Sequence, residues 1–236
     1  MEEVSGGWKG CGAIFIRLTM WNKLTIQQAQ EIDKLRRNVS KDDTEIDIET
    51  KLLSIILNKN QSEIDSLGWQ EYLDQRAALK FLEQEPEGTP IQHVTIGKRK
   101  YRFVYDIRQI PFARYIESKT FAKDFIGNLH KLAASMVIPQ RKTWYGKWKD
   151  TKYDASKHIE YSNDMLQAPF EAVYGSAVFF YHLYKNWIIA SKDYMIAEQV
   201  KTGKSQEEAE KLVNDLLRSM DGITLLRKLK TISESR

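Results

Sequence analysis

The sequence predicts a mainly α protein with one small β-hairpin, an α+β arrangement built as a single helical domain. Three observations carry this. Apolar residues recur three and four apart along most of the 236 residues, the spacing that lines one face of a helix. Capping sequences stand at the starts of several of these segments. One stretch, 91–106, alternates with period two, as a half-buried strand does.

Composition narrows the class. With 42% hydrophobic residues, 29% charged and a net charge of +4, the chain has the apolar content to fold and too little charge excess to stay disordered. Twelve Gly and five Pro are too few for a fibrous or low-complexity protein. The single Cys, Cys11, excludes an intrachain disulfide framework and any multi-Cys zinc site, and it suits a reducing compartment. The longest apolar run, 172–183, is too short for a bilayer and carries His182. Residues 12–16 are too short for the apolar core of a signal peptide. The expectation is a soluble, intracellular protein with no membrane partner.

Residues 1–19 crowd Gly6, Gly7, Gly10 and Gly12 without a period. They are expected to form a flexible N-terminal arm, or to precede the structural start; whether they belong to the natural protein is left open. The helical domain spans 20–236. Thr25 with Gln28 reads as a capping box ahead of Ile26, Ala29, Ile32 and Leu35. After a polar break at 38–43, a second helix is expected over 44–57 with Ile48, Leu52, Ile55 and Ile56 inward. Residues 58–62 break it, and Ser66 is read as the cap of a third helix carrying Trp69, Tyr72, Leu73, Leu79 and Leu82. Pro86, Gly88 and Pro90 end this block.

The hairpin follows, with its turn read as Gly97-Lys98-Arg99-Lys100. Tyr101, Phe103 and Tyr105 fall on one face, and Val94 and Val104 on the other. Beyond Pro111, Phe121, Phe125, Ile126, Leu129, Leu132, Ala133 and Met136 mark a four-turn helix ended by Pro139. Residues 140–164 read as a polar, aromatic loop. Pro169 opens the most apolar helix, running to about Ala190 and expected to bury Phe170, Val173, Tyr174, Ala177, Val178, Tyr181 and Trp187. Gly175 in its interior costs about 1 kcal/mol against Ala, so it predicts a close helix crossing; Val178→Asp is expected to unfold the chain. Ser205 with Glu208 caps a last helix that is expected to extend from about 205.

The residues that usually carry catalysis are not arranged for it. His93, His130, His158 and His182 are scattered, with no His-Glu-x-x-His spacing, no phosphate-cradling glycine loop and no Gly-x-Ser-x-Gly elbow. His130 and His182 lie on apolar helices and are expected as core or boundary residues. His158 and Glu160 share a polar stretch. Glu49-Thr-Lys51 and Asp150-Thr-Lys152 repeat the acid-x-Lys end of some nuclease motifs, but the first is placed in a helix and the second in a loop, where that motif needs a strand. No catalytic residue, metal ligand or cofactor is expected.

Two stretches read as contact surfaces. Residues 141–157 hold Arg141, Lys142, Lys147, Lys149, Lys152 and Lys157 against Asp150 and Asp154, a local excess of +4. Trp144, Tyr145, Trp148 and Tyr153 are interleaved. Such rings anchor protein interfaces, stack bases beside phosphate-binding cations, or fold back onto the core, and all three stay open. Lys98, Lys100 and Arg102 with Arg99 form a second basic patch, readable as a charged edge that blocks strand pairing. The second candidate surface is the stripe Leu212, Val213, Leu216, Leu217 and Met220 on the last helix. It is expected to dock on its own domain, on a second copy or on a partner.

The order of these segments resembles that of a known group of proteins. An acidic helix (44–57) is followed by SEIDSL (62–67) and a helix at 69–82. Next come the hairpin HVTIGKRKYRFVYDIRQI (93–110) and FAKDFIGNLHKLAASMVIP (121–139), with FEAVYGSAVFFYHLYKNWI (170–188) closing the set. The strings NLHK (128–131) and VFF (178–180) add to it. This resembles proteins from the tail-assembly and virion-morphogenesis gene blocks of tailed bacteriophages, tail-assembly-chaperone-like or virion-associated, seen in phages of Bacteroides-type hosts and the crAss-like phages among them. The likeness covers roughly 24–190. It implies no catalytic residue and no cofactor. It implies a non-enzymatic morphogenesis protein that binds other phage structural or tail proteins, a long helical tape-measure protein among them. It also implies residence in the host cytoplasm during assembly or in the virion. The glycine-rich start and the charged helix from Ser205 depart from the pattern, which leaves open transient chaperoning or permanent residence in the particle. A homo-oligomer stays open. The alternative is a nucleic-acid-binding or DNA-packaging accessory protein that uses 141–157.

Overall fold

The computed structural model describes residues 20–106 and 124–221. In chain order the helices are α1 (Met20–Lys23), α2 (Ile26–Arg37), α3 (Glu45–Leu57), α4 (Gln61–Asp65) and α5 (Trp69–Ala78), the last running into a 3-10 turn at Leu79–Glu83. Strands β1 (His93–Ile96) and β2 (Arg99–Phe103) follow, then α6 (Leu129–Met136), β3 (Val137–Lys142) and β4 (Trp148–Asp150). A 3-10 turn at Ala155–Lys157 leads to α7 (His158–Met165), α8 (Phe170–Ala190), α9 (Lys192–Lys201) and α10 (Gln206–Asp221). The chain is therefore mainly helical with a small antiparallel sheet of order β1-β2-β3-β4. The expected arm at 1–19, Cys11, Phe121 and everything beyond Asp221 lie outside the described residues.

Side chains that satisfy the orphan N–H groups set the helix starts. In α2 the Thr25 hydroxyl accepts from the Gln28 N–H at 3.2 Å and the Gln28 side-chain oxygen accepts from the Thr25 N–H at 2.9 Å. The Gln28 amide then donates to the Ile55 carbonyl at 2.9 Å, tying this cap to the end of α3. Thr44 and Asp47 cap α3 in the same reciprocal way, and α3 stops at Asn58 in the left-handed conformation. The next stretch folds differently from the expected single helix capped by Ser66. Asn60 and Glu63 form a third capping box that opens the short α4, Ser66 closes that helix, and Gly68 stands at the N-cap of α5. An Asn followed three residues later by Glu carries the same donors and acceptors as Ser/Thr-x-x-Glu, so the signal was present in a less familiar spelling.

The expected hairpin forms, but it is half of a larger sheet. Its turn is the two residues Gly97-Lys98, with Gly97 at φ 58, and Arg99 and Lys100 already belong to β2. Tyr101 and Phe103 are buried. Val94 lies directly opposite Tyr101, so it shares that inner face instead of occupying the other one, and it too is buried. The other two strands come from a stretch read as helix end and loop. Helix α6 stops at Met136, because Val137 turns extended and pairs with Phe103. Pro139 therefore sits in β3 opposite Tyr101, and its carbonyl accepts from the Thr151 N–H at 2.9 Å and the Thr151 hydroxyl at 2.8 Å, just past the end of β4. Within 140–164 the chain forms the rest of β3, then β4, a 3-10 turn and α7.

The main core lies between the inner face of the sheet and the helices. It joins Trp21, Leu24, Ile26 and Ile32 to Tyr101, Phe103, Leu129, Leu132, Met136, Met165 and the buried face of α8. Trp21 meets Phe81 edge-on at 5.0 Å. Phe170, Val173, Tyr174, Ala177 and Tyr181 are buried as expected, but Val178 is half-buried and Trp187 is exposed. A half-buried Val178 no longer supports unfolding by an aspartate there. Gly175 does mark a close approach. Its partner is the extended chain at Gly88 instead of a second helix: a Cβ on either glycine would run into the other segment's backbone.

Burial leaves a pH signature. Desolvation pushes the phenols of Tyr72, Tyr101, Tyr174 and Tyr181 upward, with Tyr72 and Tyr174 reaching about 12. Unfolded tyrosines ionise near 10, so between those values the folded chain holds protons the unfolded chain has lost, and stability falls as pH rises past about 10. Near-ultraviolet phenolate absorbance is expected to rise in step with cooperative loss of helical circular dichroism; full titration of the tyrosines with the helix signal intact would contradict it.

Glu171, on the first turn of α8, gives the opposite prediction. Desolvation, then the nearby Glu87 charge, raises its carboxyl above the usual range, and one buried oxygen has no hydrogen-bond partner among the described residues. The folded pKa lies above the unfolded one, so the charged form is a burden at neutral pH that disappears as pH falls through the folded pKa. Glu171→Gln is expected to melt higher than the parent near pH 7, with the gain closing near about pH 4, the ordinary Glu range. A lower melting temperature at neutral pH would refute this.

Candidate interaction surface

The β3–β4 hairpin turns through Thr143-Trp144-Tyr145-Gly146. The Gly146 N–H donates to the Thr143 carbonyl at 3.0 Å, and the Thr143 N–H donates to the Lys147 carbonyl at 2.8 Å. The Thr143 hydroxyl donates to the same Lys147 carbonyl at 2.8 Å. Gly146, at φ 84, fills the left-handed position that such a three-residue loop requires. Thr143 and Gly146 thus do the turn's conformational work, and nothing in its geometry calls for the two rings between them. Trp144 is 96% exposed and Tyr145 55% exposed, packed edge-to-face at 5.5 Å.

The strand register brings the second basic patch to the same place. Lys100 of β2 lies opposite Gln140 of β3, and Lys142 lies opposite Trp148 of β4. The Gly97-Lys98 turn and the Trp144–Tyr145 turn therefore leave the sheet from one end. Lys100 places its ammonium 5.6 Å from the centre of the Trp148 ring, a cation–π contact that links the two hairpins; Trp148 itself is 39% exposed.

Nearby carboxylates are already engaged. Asp150 accepts from Arg102 Nε at 2.8 Å and from Gln140 at 2.8 Å, and the Arg102 hydrogen bond is the main reason its carboxyl is held below the usual range. Glu160 and Asp164 bind Arg99 at 2.5 and 2.9 Å, and Asp164 also accepts from the Tyr101 hydroxyl. Asp154 accepts from the N–H and hydroxyl of Ser156, which lowers its carboxyl as well. Lys98, Lys100, Arg141, Lys142, Lys147, Lys149 and Lys152 form no ion pair among the described residues.

Of the loop residues singled out from sequence, Arg141, Lys142, Trp144, Tyr145, Lys147, Trp148, Lys149 and Lys152 are exposed. Tyr153 is not part of that surface, because it is half-buried and packs on the main core with Tyr161 at 5.8 Å. The merging of the 97–100 turn with this hairpin was invisible in the sequence. It depends on pairing β2 with β3 across residues 104–136.

The candidate helix stripe is split. Val213 is buried with Ala209 and Ile196 in a small core between α9 and α10, Leu217 packs against the main core, and Leu212 is exposed. The side chains of Leu216 and Met220 lie outside what the structure describes. Over this span α10 docks on its own chain. Ala209, one helical turn before Val213, was the missed signal. Val213→Asp should detach α10, seen as loss of hydrogen-exchange protection over 206–217 with α6 still protected; uniform protection would contradict that docking.

The remaining candidates resolve into structural roles. Glu49 accepts from the Tyr72 hydroxyl at 2.9 Å and from Arg76 at 2.8 Å. Asp150 does end a strand, contrary to the loop reading, but it is held by Arg102. His130 Nδ1 meets the Gln30 amide at 2.8 Å, and burial pushes its pKa down. His182 is exposed on α8 instead of packed. A cavity of about 420 Å³ is lined by Leu52, Leu73, Leu79 and Leu82 with Arg36 and Arg76, and Arg76 is already paired with Glu45 and Glu49. Among the described residues there is no group of three or more His, Cys, Asp or Glu placed to hold a metal ion, and no helix is long and apolar enough to cross a membrane. Compared with known proteins, the chain matches no protein-family model, no curated protein and no solved structure.

Proposed function

We propose that this chain is a non-enzymatic binding protein of bacteriophage particle assembly and that it grips its partner with the sheet end where the two turns meet. The binding role is carried by one observation: Trp144 stands 96% exposed on a turn held by three hydrogen bonds. A solvated Trp gains nothing for its own fold, whereas burying such a ring in a partner is the usual anchor of an interface. The assembly setting comes from the resemblance of residues 24–190 to phage tail and virion morphogenesis proteins. In that setting the partner is another component of the particle under construction.

The test is cosedimentation. A tagged chain expressed during infection is expected to travel with tail or virion assembly intermediates. Trp144→Ser with Tyr145→Ser is expected to abolish this with the melting temperature unchanged, since neither ring contributes to the core. Cosedimentation unaffected by the double change, or absence of the parent chain from every particle fraction, would overturn the proposal.

A further inference from the structure

We infer that the partner surface at the two-turn end of the sheet is built for single-stranded nucleic acid, an inference that rests on the binding role proposed above for the same surface. The first argument is charge. Lys98, Lys100, Arg141, Lys142, Lys147 and Lys149 all stand at that end of the sheet without ion-pair partners among the described residues, Lys100 and Lys142 on the face that carries Trp148 and Arg141 and Lys149 on the opposite one, while the adjacent carboxylates are held by Arg99 and Arg102. The two turns are separated by about two strand spacings, roughly 10 Å, comparable to the screening length at physiological salt, about 8 Å. Their cations therefore act as one field, complementary to a polyanion.

The second argument is the kind of cation. Five of those six are Lys. Lys is strongly hydrated and depleted in the desolvated centres of protein interfaces, where Arg is enriched. A phosphodiester chain accepts hydrated point charges, because neutralising it releases counterions without burying the ammonium. The third argument is the rings. Trp144, Tyr145 and Trp148 are all solvent-accessible, and Lys100 already sits on Trp148. In a duplex the base faces are covered by their neighbours. Only an unpaired strand offers π-faces for stacking while its phosphates reach the flanking lysines.

The experiment uses the full chain and a fluorescein-labelled oligothymidylate. Binding by anisotropy is expected, with quenching of intrinsic Trp emission. The logarithm of affinity should fall linearly against the logarithm of salt with a slope of up to about −4, six contacts at roughly −0.7 each. Trp144→Ala is expected to weaken binding at least about fivefold with little change in the salt slope, and Lys142→Ala with Lys147→Ala to flatten the slope by about 1.4. Both sites are exposed, so the variants should fold, and an unchanged melt verifies it. A blunt duplex of the same length is expected to compete poorly. No binding at low salt, binding indifferent to Trp144→Ala, equal competition by polyglutamate, or attachment to phosphatidylserine vesicles in its place would overturn the inference. If the oligonucleotide fails while the Trp144/Tyr145 double change still removes the chain from assembly intermediates, the occupant is wrong and the binding role stands. If both fail, the binding role fails too.

Discussion

Gly175→Ala is expected to cost about 3 kcal/mol or more, at or beyond the upper end for overpacking. The sign is informative, because Ala in a helix interior normally gains about 1 kcal/mol over Gly. Here the added Cβ would meet the Gly88 carbonyl and Cα well inside the 3.0 Å that real Cβ atoms respect. The obstacle is backbone, which cannot swing aside as a side chain would. The 84–92 segment is also pinned, because the Ile91 N–H donates to Ser176 Oγ at 3.0 Å and the Ile91 carbonyl accepts from the Tyr105 hydroxyl at 2.5 Å. Gly88→Ala should be similarly damaging, since its Cβ would strike the Glu171 carbonyl. The double variant should lose less than the sum, because either change alone already forces the segments apart. Urea midpoints measure all three. A Gly175→Ala chain as stable as its parent would show that the segments do not pack this way.

Tyr101→Ala is expected to cost about 3–5 kcal/mol, the range for deleting a buried aromatic ring. Tyr101 is fully buried at the centre of the sheet, between Val94 and Pro139 on the neighbouring strands, with Tyr161 edge-on at 6.0 Å. Its hydroxyl donates to Asp164, which also accepts from Arg99. Tyr101→Phe keeps the ring and removes that charge-assisted bond, so it should cost less, about 1.5–3 kcal/mol. Chemical denaturation of the pair separates packing from hydrogen bonding. Equal losses from Phe and Ala would mean that the ring packs poorly and the hydroxyl dominates.

These two positions also show what sequence could and could not reveal. Tyr101 was legible because period-two alternation needs no partner to be recognised, α2 and α10 were legible because a capping box is local chemistry, and α3 because its apolar stripe repeats at helical spacing. The Gly175 contact was half legible: the cost of a helical Gly announced a close neighbour, but its identity lay 87 residues away. The sheet was misjudged for the same reason. Val137 to Lys142 contains a Pro and three long polar residues, so its strand state comes from pairing with Phe103 and its neighbours and not from its own propensity. The site followed suit. Its aromatics and lysines were visible as composition, while their gathering at one end with 97–100, and the loss of Tyr153 to the core, were decided by register and tertiary packing.

Helix α6 passes into β3 without an intervening residue, since Met136 ends one and Val137 begins the other. Most of α6 is buried, with Leu129, Leu132 and Met136 almost wholly enclosed, so the strand that carries the Trp144 turn is clamped at its root by a helix seated in the core. A load applied at the hairpin tip therefore has no slack to take up. It is borne as tension along β3 and resisted by the core, as a cantilever is by its wall mount. A glycine pair inserted between Met136 and Val137 would turn that stiff bracket into a tether, leaving every tip residue in place chemically while removing the fixed position from which they act.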